Sequence, residues 1–269
     1  MPRLLRLSLI AVLVVLGLAS AGVGALYAVQ RDLIYPGVGR GSHIWDAPPA
    51  GFDVIETRTA DDLRLRAFYR APADGADTII YFHGNGGTAL MAAPILAGIA
   101  GSDRGLLLVE YRGYAGNPGS PTEDGLYADG RAALDFLSGE GVDNDDLIIG
   151  GFSLGTGVAS KMADEVGPKA LFLLSPFTSL DKVAAEQFYL PPLRRLVHDK
   201  FPTDERIADI PVPLFIAHGS ADELVPDDHG RSLAATRPDA ETLWLQGAGH
   251  GIPWDGRLQV GLSEWIEGL

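Results

Sequence analysis

No cysteine occurs anywhere in the 269 residues. That excludes a disulfide framework, a thiolate metal site and a cysteine nucleophile. It names no redox compartment, because a chain without thiols is stable in either setting. Basic side chains are scarce as well: 21 Lys and Arg face 35 Asp and Glu, for a net charge of −14. Arg3 and Arg6 are the only charges in the first 29 residues, so the remainder stands at −16. Such a surface repels nucleic acid and anionic head groups. No basic patch interrupts it, so nucleic-acid binding is not expected. H-E-x-x-H, a Cys/His cluster and G-x-x-x-x-G-K-[ST] are all missing. These are the signatures of a zinc peptidase and of a phosphate-binding loop. Hydrophobic residues make up 46% and charged residues 21%. The balance is globular, and the length suits one large α/β domain with a full core.

What is present begins at the N-terminus. Residues 7–29 carry no charge, and a stretch of that length can span a bilayer. A cleaved secretory signal is the rival, since Ala19-Ser20-Ala21 offers an A-x-A-like site. The uncleaved anchor is preferred because the apolar run continues past that site through Val23, Ala25, Leu26 and Val29. A buried helix of the domain is disfavoured, as the stretch has no polar face. Arg3, Arg6 and the amino terminus stand against Arg31 and Arg40, so positive-inside counting orients the span only weakly. The expectation is a single-pass membrane anchor over residues 1–30, with the folded domain of residues 31–269 outside the cytoplasm. Cleavage would make the protein secreted, and an N-out anchor would reverse the topology.

Residues 30–36 (QRDLIYP) read as a short polar-aromatic link. Residues 52–57 and 63–70 alternate polar and apolar side chains, as an antiparallel hairpin turning at Asp61-Asp62 would. Continuous apolar runs at 78–82, 106–111, 147–149, 170–175, 213–219 and 242–247 fit central parallel strands. Helix-compatible stretches follow several of them, at 88–101, from Thr122 to about Leu137, and after Ser153. Strand and helix in alternation predict an α/β fold with a mostly parallel central sheet and helices on both faces.

Gly151-Phe152-Ser153-Leu154-Gly155 fits the nucleophile-elbow pattern G-x-S-x-G. With 34 glycines in the chain the pattern alone is weak. Its setting is specific: an aliphatic strand precedes it, and Leu154, Val158, Met162 and Val166 follow at helical spacing. A sharp strand-to-helix turn pushes the serine hydroxyl out over the sheet, and small neighbours let the backbone come close. The apolar run at 78–82 ends in His83-Gly84-Asn85-Gly86-Gly87. A glycine-rich loop after a buried strand can aim N–H groups at a developing oxyanion. Asn85 and Leu154 are the candidate donors, the plain strand-to-helix turn being the alternative. Asp222 lies just beyond the strand at 213–219, and His250 sits in the glycine-flanked loop after the last strand. A serine needs a neutral imidazole to take its proton, and the imidazole needs a carboxylate to fix its tautomer. His83, His198, His218 and His229 are rival bases; Asp181 and Asp227 are rival acids. Residues 176–210 interrupt the alternation and read as a small helical cap over the sheet's C-terminal edge, where ligands of such sheets bind. Tyr114, Phe177, Phe188, Tyr189 and Leu193 are candidate substrate-binding residues, with local core as the competing reading.

The segments HGNGG, EYRGY followed by a Gly/Pro loop and TEDGLYADGRAAL, GFSLGTGVA, SPFTSL, HGSADELVP and GAGHG together resemble one branch of the α/β-hydrolase superfamily. That branch is the small membrane-anchored Bem-type hydrolases, related to serine aminopeptidase-like and acyl-protein-thioesterase-like groups. The likeness covers nearly the whole chain, the N-terminal segment included. It implies an α/β-hydrolase fold and a serine hydrolase without metal or cofactor. Ser153 would be the nucleophile, Asp222 and His250 would complete the triad, and the oxyanion hole would lie near Asn85 and Leu154. The chain order Ser, Asp, His is the one that superfamily uses. One departure is visible: Gly251-Ile252 follows His250, where an Asn-Asp pair is frequent. The expected substrates are small-molecule or lipid-like acyl esters or thioesters. A peptidase on the same triad and a catalytically silent anchored binding protein are the alternatives. Haloalkane dehalogenase chemistry would need an aspartate at the elbow, which Ser153 excludes.

Overall fold

The apolar N-terminal run forms helix α1, Arg3–Ile34, so the helix outlasts the charge-free stretch. Gln30, Arg31 and Asp32 are therefore its last turn and not a link. No proline occurs between Pro2 and Pro36, and Gln30 and Arg31 find partners in the domain. Gln30 Nε2 donates to Leu196 O (3.2 Å), Gln30 Oε1 accepts from His198 N (2.9 Å), and Arg31 lies 3.4 Å from Asp199. The span Arg6–Ile34 is long and apolar enough to cross a membrane, its most apolar 18-residue window having a mean hydropathy of 2.5. The computed structural model describes residues 3–187 and 194–269; Phe188, Tyr189 and Leu193 lie outside the described residues.

Strands β1 (Asp53–Arg58) and β2 (Arg64–Arg70) form the expected antiparallel hairpin, with Thr57 opposite Leu65. Its turn places Asp62 at φ 70°, a left-handed position that Asp tolerates. The remaining strands are β3 (Thr78–Phe82), β4 (Gly105–Val109), β5 (Leu147–Phe152), β6 (Ala170–Leu174), β7 (Leu214–Gly219) and β8 (Glu241–Leu245). They make one sheet in the order β1-β2-β4-β3-β5-β6-β7-β8. β2 meets β4 antiparallel, and β4 through β8 run parallel. Every residue of β3 through β7 is buried, as covering a parallel sheet on both faces requires.

Successive side chains of a strand point to opposite faces, and the two cores separate accordingly. Ile80, Phe82 and Leu107 pack with Leu126 and Leu137 of α3 (Glu123–Gly139), Val158 and Met162 of α4 (Leu154–Val166), and Leu233 of α6 (Asp227–Thr236). Ile79, Leu106 and Leu108 pack with Leu96 of α2 (Ala89–Ala100) and Leu262 of α7 (Gly256–Glu267). Thr88 and Thr122 cap α2 and α3 by accepting from Met91 N and Gly125 N, which ends each glycine- or proline-rich loop cleanly. The described residues of the 176–210 segment include α5 (Leu180–Gln187) and short 3₁₀ turns at Thr203–Glu205 and Ile207–Asp209.

The order reverses around β3, whose neighbours are β4 and β5. Ligands of open α/β sheets bind beyond the strand ends at such a switch point. Here the loop after β3 and the turn after β5 emerge side by side, since Phe82 pairs with Gly151.

Candidate active site

Ser153 follows β5 and caps the start of α4 with φ 51° and ψ −119°. These are the angles of the first central position of a type II′ turn, where glycine is preferred. A serine persists there only because its surroundings hold it. Its N–H donates to Leu174 O (2.9 Å), and its carbonyl accepts from Thr156 N (2.9 Å) and Thr156 Oγ1 (2.6 Å). The flanking glycines are demanded by close approach. A Cβ on Gly151 would stand 2.5 Å from the Gly155 carbonyl carbon. One on Gly155 would stand 2.5 Å from the Phe82 carbonyl carbon and 2.9 Å from His83 O. Leu154 opens α4, so its N–H has no acceptor within the helix and lies at the positive end of the helix dipole.

The histidine and the acid arrive from two loops that are tied together. Ala221 N donates to Ala248 O (2.9 Å) and Ser220 N to Leu245 O (3.0 Å). His250 Nδ1 lies 2.7 Å from Asp222 Oδ2, and His250 Nε2 lies 2.9 Å from Ser153 Oγ. With Nδ1 facing a carboxylate, the ring proton belongs there and the Nε2 lone pair faces the hydroxyl. Ser175 Oγ donates to His250 O (3.1 Å), and the Phe152 ring sits 5.1 Å from the imidazole.

Asp222 is buried. Burial alone would raise its carboxyl pKa. Hydrogen bonds from His218, His250 and Val225 N outweigh that and hold it well below the usual carboxylate range. Asp222 Oδ1 accepts from Leu224 N and Val225 N, each at 2.9 Å. His218 Nε2 lies 3.2 Å from Asp222 Oδ2 and 2.9 Å from Val225 O. His218 is therefore a second imidazole on the acid, a role its strand position concealed. Its i, i+4 spacing to Asp222 across the strand end was the available signal.

The loop at 83–87 is braced from beneath. His83 Nε2 meets Glu110 Oε1 at 2.8 Å, and Glu110 Oε2 accepts from Ala89 N (2.9 Å). Tyr111 donates to His83 O (2.8 Å) and Tyr114 to Asn85 O (3.0 Å). Tyr114 is thus fully buried and holds the loop. The expectation that it contacts substrate is corrected, because Gly37, Asn85 and His83 close around its ring. Asn85 Nδ2 donates to Ile34 O (3.1 Å), joining this loop to the end of α1.

The other rivals are engaged elsewhere. His198 bonds Tyr27, and His229 bonds Thr178 and Glu186. Asp181 bonds Ser179 and Arg194, and Asp227 bonds Arg231. Among the described residues no group of three or more His, Asp or Glu side chains is placed to hold a metal ion.

No protein-family model matches the chain. Human alpha/beta hydrolase domain-containing protein 17B is 32% identical to it over 214 residues, 77% of this chain and 73% of that one. The chain belongs to the α/β-hydrolase superfamily. An uncharacterized protein of Mycobacterium tuberculosis is 38% identical over 249 residues, covering 90% of this chain and 88% of its own. Among solved structures, an α/β-hydrolase of Vibrio vulnificus superposes with a TM-score of 0.71 at 20% identity, over 93% of each chain. An esterase of Pyrococcus furiosus superposes with a TM-score of 0.66 at 20% identity, over 81% of this chain and 90% of that one. Both are likenesses of fold.

Two cavities of this α/β-hydrolase meet at Ser153 and Asn85. One, of about 220 Å³, lies on the His250 side between Met91, Ile95, Phe152, Pro253 and Trp254. The other, of about 370 Å³, lies on the Leu154 side and includes Phe177, Leu180, Val183 and Leu224. Phe177 thus lies where the sequence places a pocket wall. The expected wall residues Phe188, Tyr189 and Leu193 are outside the described residues. The larger cavity is also bordered by α1, through residues such as Leu26 and Leu33, a contact that hydropathy and motif spacing do not foretell. Neither cavity is lined by an Asp, Glu, Lys or Arg side chain among the described residues.

Proposed function

We propose that the protein is a membrane-anchored serine hydrolase of carboxylic ester or thioester bonds. The observation that carries this reading is the unbroken hydrogen-bonded line Ser153 Oγ–His250 Nε2, His250 Nδ1–Asp222 Oδ2 at the mouth of two apolar cavities.

In the first half-reaction His250 Nε2 takes the Ser153 proton while Oγ bonds to the acyl carbon. The carbonyl π pair moves onto oxygen. The N–H groups of Asn85 and Leu154 stabilise that oxyanion, aided by the N-terminus of α4. When the pair returns, the bond to the leaving oxygen or sulfur breaks, and the imidazolium gives that atom its proton. An acyl-Ser153 remains. Water then repeats the sequence, with its proton passing to His250 and on to Ser153 Oγ as the carboxylic acid departs. Asp222, kept anionic by its donors, fixes the tautomer of His250 and stabilises the transient cation.

Proton delivery by His250 assigns the cavities. The leaving group must lie within reach of Nε2, so it takes the smaller cavity that His250 borders. The acyl chain takes the larger one, which His250 does not border. A peptidase reading is less well supported. Recognition of a free amino group calls for a carboxylate, and the described lining holds none. The helix α1, long and apolar enough to cross a bilayer, is read as the anchor.

The experiment is a panel of acyl esters, acyl thioesters and aminoacyl amides offered to the purified full chain and to Ser153→Ala. Wild-type turnover of esters or thioesters, lost in a folded Ser153→Ala, is expected. Turnover of amides alone would move the reading to a peptidase. Ester turnover retained in Ser153→Ala would overturn it.

A further inference from the structure

The N-terminal helix α1 forms part of the larger cavity. Val23, Leu26, Tyr27, Gln30, Leu33 and Ile34 border the same space as Ser153 and Leu154. Their spacing of three and four residues places them on one face of α1. Across the cavity stand Phe177, Leu180 and Leu224.

The base of α1 is fixed to the domain rather than merely adjacent to it. Asn85 Nδ2 donates to Ile34 O, Gln30 bonds Leu196 and His198, Tyr27 bonds His198, and Arg31 pairs with Asp199. Tyr35, directly after the helix, is buried in the core. The loop that supplies one proposed oxyanion donor is therefore hydrogen-bonded to the end of the membrane helix.

Length then places the cavity relative to the bilayer. α1 spans 32 residues, and a hydrocarbon core about 30 Å thick takes about 20 of them. A span over residues 7–26 leaves the last two turns beyond the core, with Tyr27 at the level where membrane aromatics concentrate. Val23 and Leu26, at one end of the cavity, then stand among lipid acyl chains, while Ser153 stands at the other. Leu33 and Leu224 line the cavity although each is more than half exposed, so its flank is open and apolar.

We propose that the last three turns of α1 are one wall of the acyl slot, and that the enzyme draws its acyl chain sideways from the bilayer holding α1. The substrate class is a membrane-resident ester or thioester of a long apolar acyl chain. The chain lies along Val23, Leu26 and Leu33, and its carbonyl reaches Ser153. This rests on the serine-hydrolase reading above. It adds that the anchor determines chain-length specificity, so that cutting it away would remove part of the active site.

The test uses the full chain in phosphatidylcholine vesicles and compares kcat/KM for a palmitoyl and an acetyl ester. Leu26→Trp and Leu33→Trp each fill the slot and are expected to lower the palmitoyl-to-acetyl ratio about tenfold or more, since single methylenes already count for factors of ten in such pockets. Val29→Trp, on an exposed part of α1 outside the cavity, leaves the ratio unchanged. The wild-type palmitoyl rate should follow the ester's mole fraction in the vesicle rather than its bulk concentration. A second measurement needs no variant: a palmitoyl-length phosphonate bearing a terminal diazirine is attached to Ser153 and photolysed. Cross-links are expected in residues 23–34. Cross-links confined to the domain, or unchanged ratios in both Leu26→Trp and Leu33→Trp, would overturn the proposal while leaving a serine esterase in place. A wild type that turns over neither ester would overturn both.

Discussion

Replacing Ser153 with glycine should stabilise the protein relative to replacing it with alanine, although both changes remove the nucleophile. Ser153 sits at φ 51°, ψ −119°, a region that glycine enters freely and a Cβ-bearing residue does not. Such strain is worth about 1–3 kcal/mol. Both variants lose the Oγ and its bond to His250, so that loss cancels in the comparison. Glycine also loosens the unfolded chain, which offsets about 0.4–1 kcal/mol. A net advantage of about 0.5–2 kcal/mol remains for Ser153→Gly. For a domain of this size each kcal/mol moves the melting point by about 2–4 °C. Ser153→Gly should therefore melt roughly 1–8 °C above Ser153→Ala. The assay is scanning calorimetry of the two full-length variants in the same detergent, with a denaturant titration as a check on equilibrium. Ser153→Gly melting at or below Ser153→Ala would refute the claim that the elbow stores strain.

Other outcomes follow from the same geometry. Asp222→Asn should fold and lose on the order of 10⁴-fold in kcat, through loss of the correct His250 tautomer. Because the folded Asp222 carboxyl is held below its unfolded range, its contribution to stability is complete above about pH 4 and disappears as pH falls through the folded value; an acid titration of wild type against Asp222→Asn measures the difference. His218→Leu should lower kcat by about three- to tenfold with little change in melting point: it deletes one donor to Asp222, and it also removes the buried Nδ1, which has no hydrogen-bond partner among the described residues. Gly155→Ala would set a Cβ 2.5 Å from the Phe82 carbonyl carbon, forcing the loop at 83–87 away from α4. A loss of about 10²–10³ in kcat in the folded fraction is expected, as for removal of an oxyanion donor.

The candidate site was legible as an arrangement because its parts are short and local. Ser153 follows an apolar strand and is flanked by glycines; Asp222 and His250 each follow a strand end; and their order in the chain excluded most rivals. The hairpin and the parallel strands were readable to within a few residues because alternation and continuous apolar runs mark the two kinds of strand. What escaped depends on partners far away in sequence. Gln30, Arg31 and Asp32 looked like a link because they end the apolar run, yet Leu196, His198 and Asp199 let the helix continue through them. Tyr114 looked available beside a glycine-rich loop, and its burial depends on Gly37 and Asn85. His218 looked structural within its strand; its bond to Asp222 requires the turn after β7 to fold back. The place of α1 beside Ser153 left no mark in hydropathy, because a lipid-facing stripe and a cavity-facing stripe are equally apolar.

The most direct measurement is labelling of the full chain by an alkyl fluorophosphonate, followed by peptide mapping of the adduct in separated membrane and soluble fractions. An adduct on Ser153 in the membrane fraction, absent from Ser153→Ala and strongly slowed in His250→Ala, is the predicted result. A folded wild type that takes no label, or takes it on a different serine, would contradict the assignment of Ser153 as an activated nucleophile.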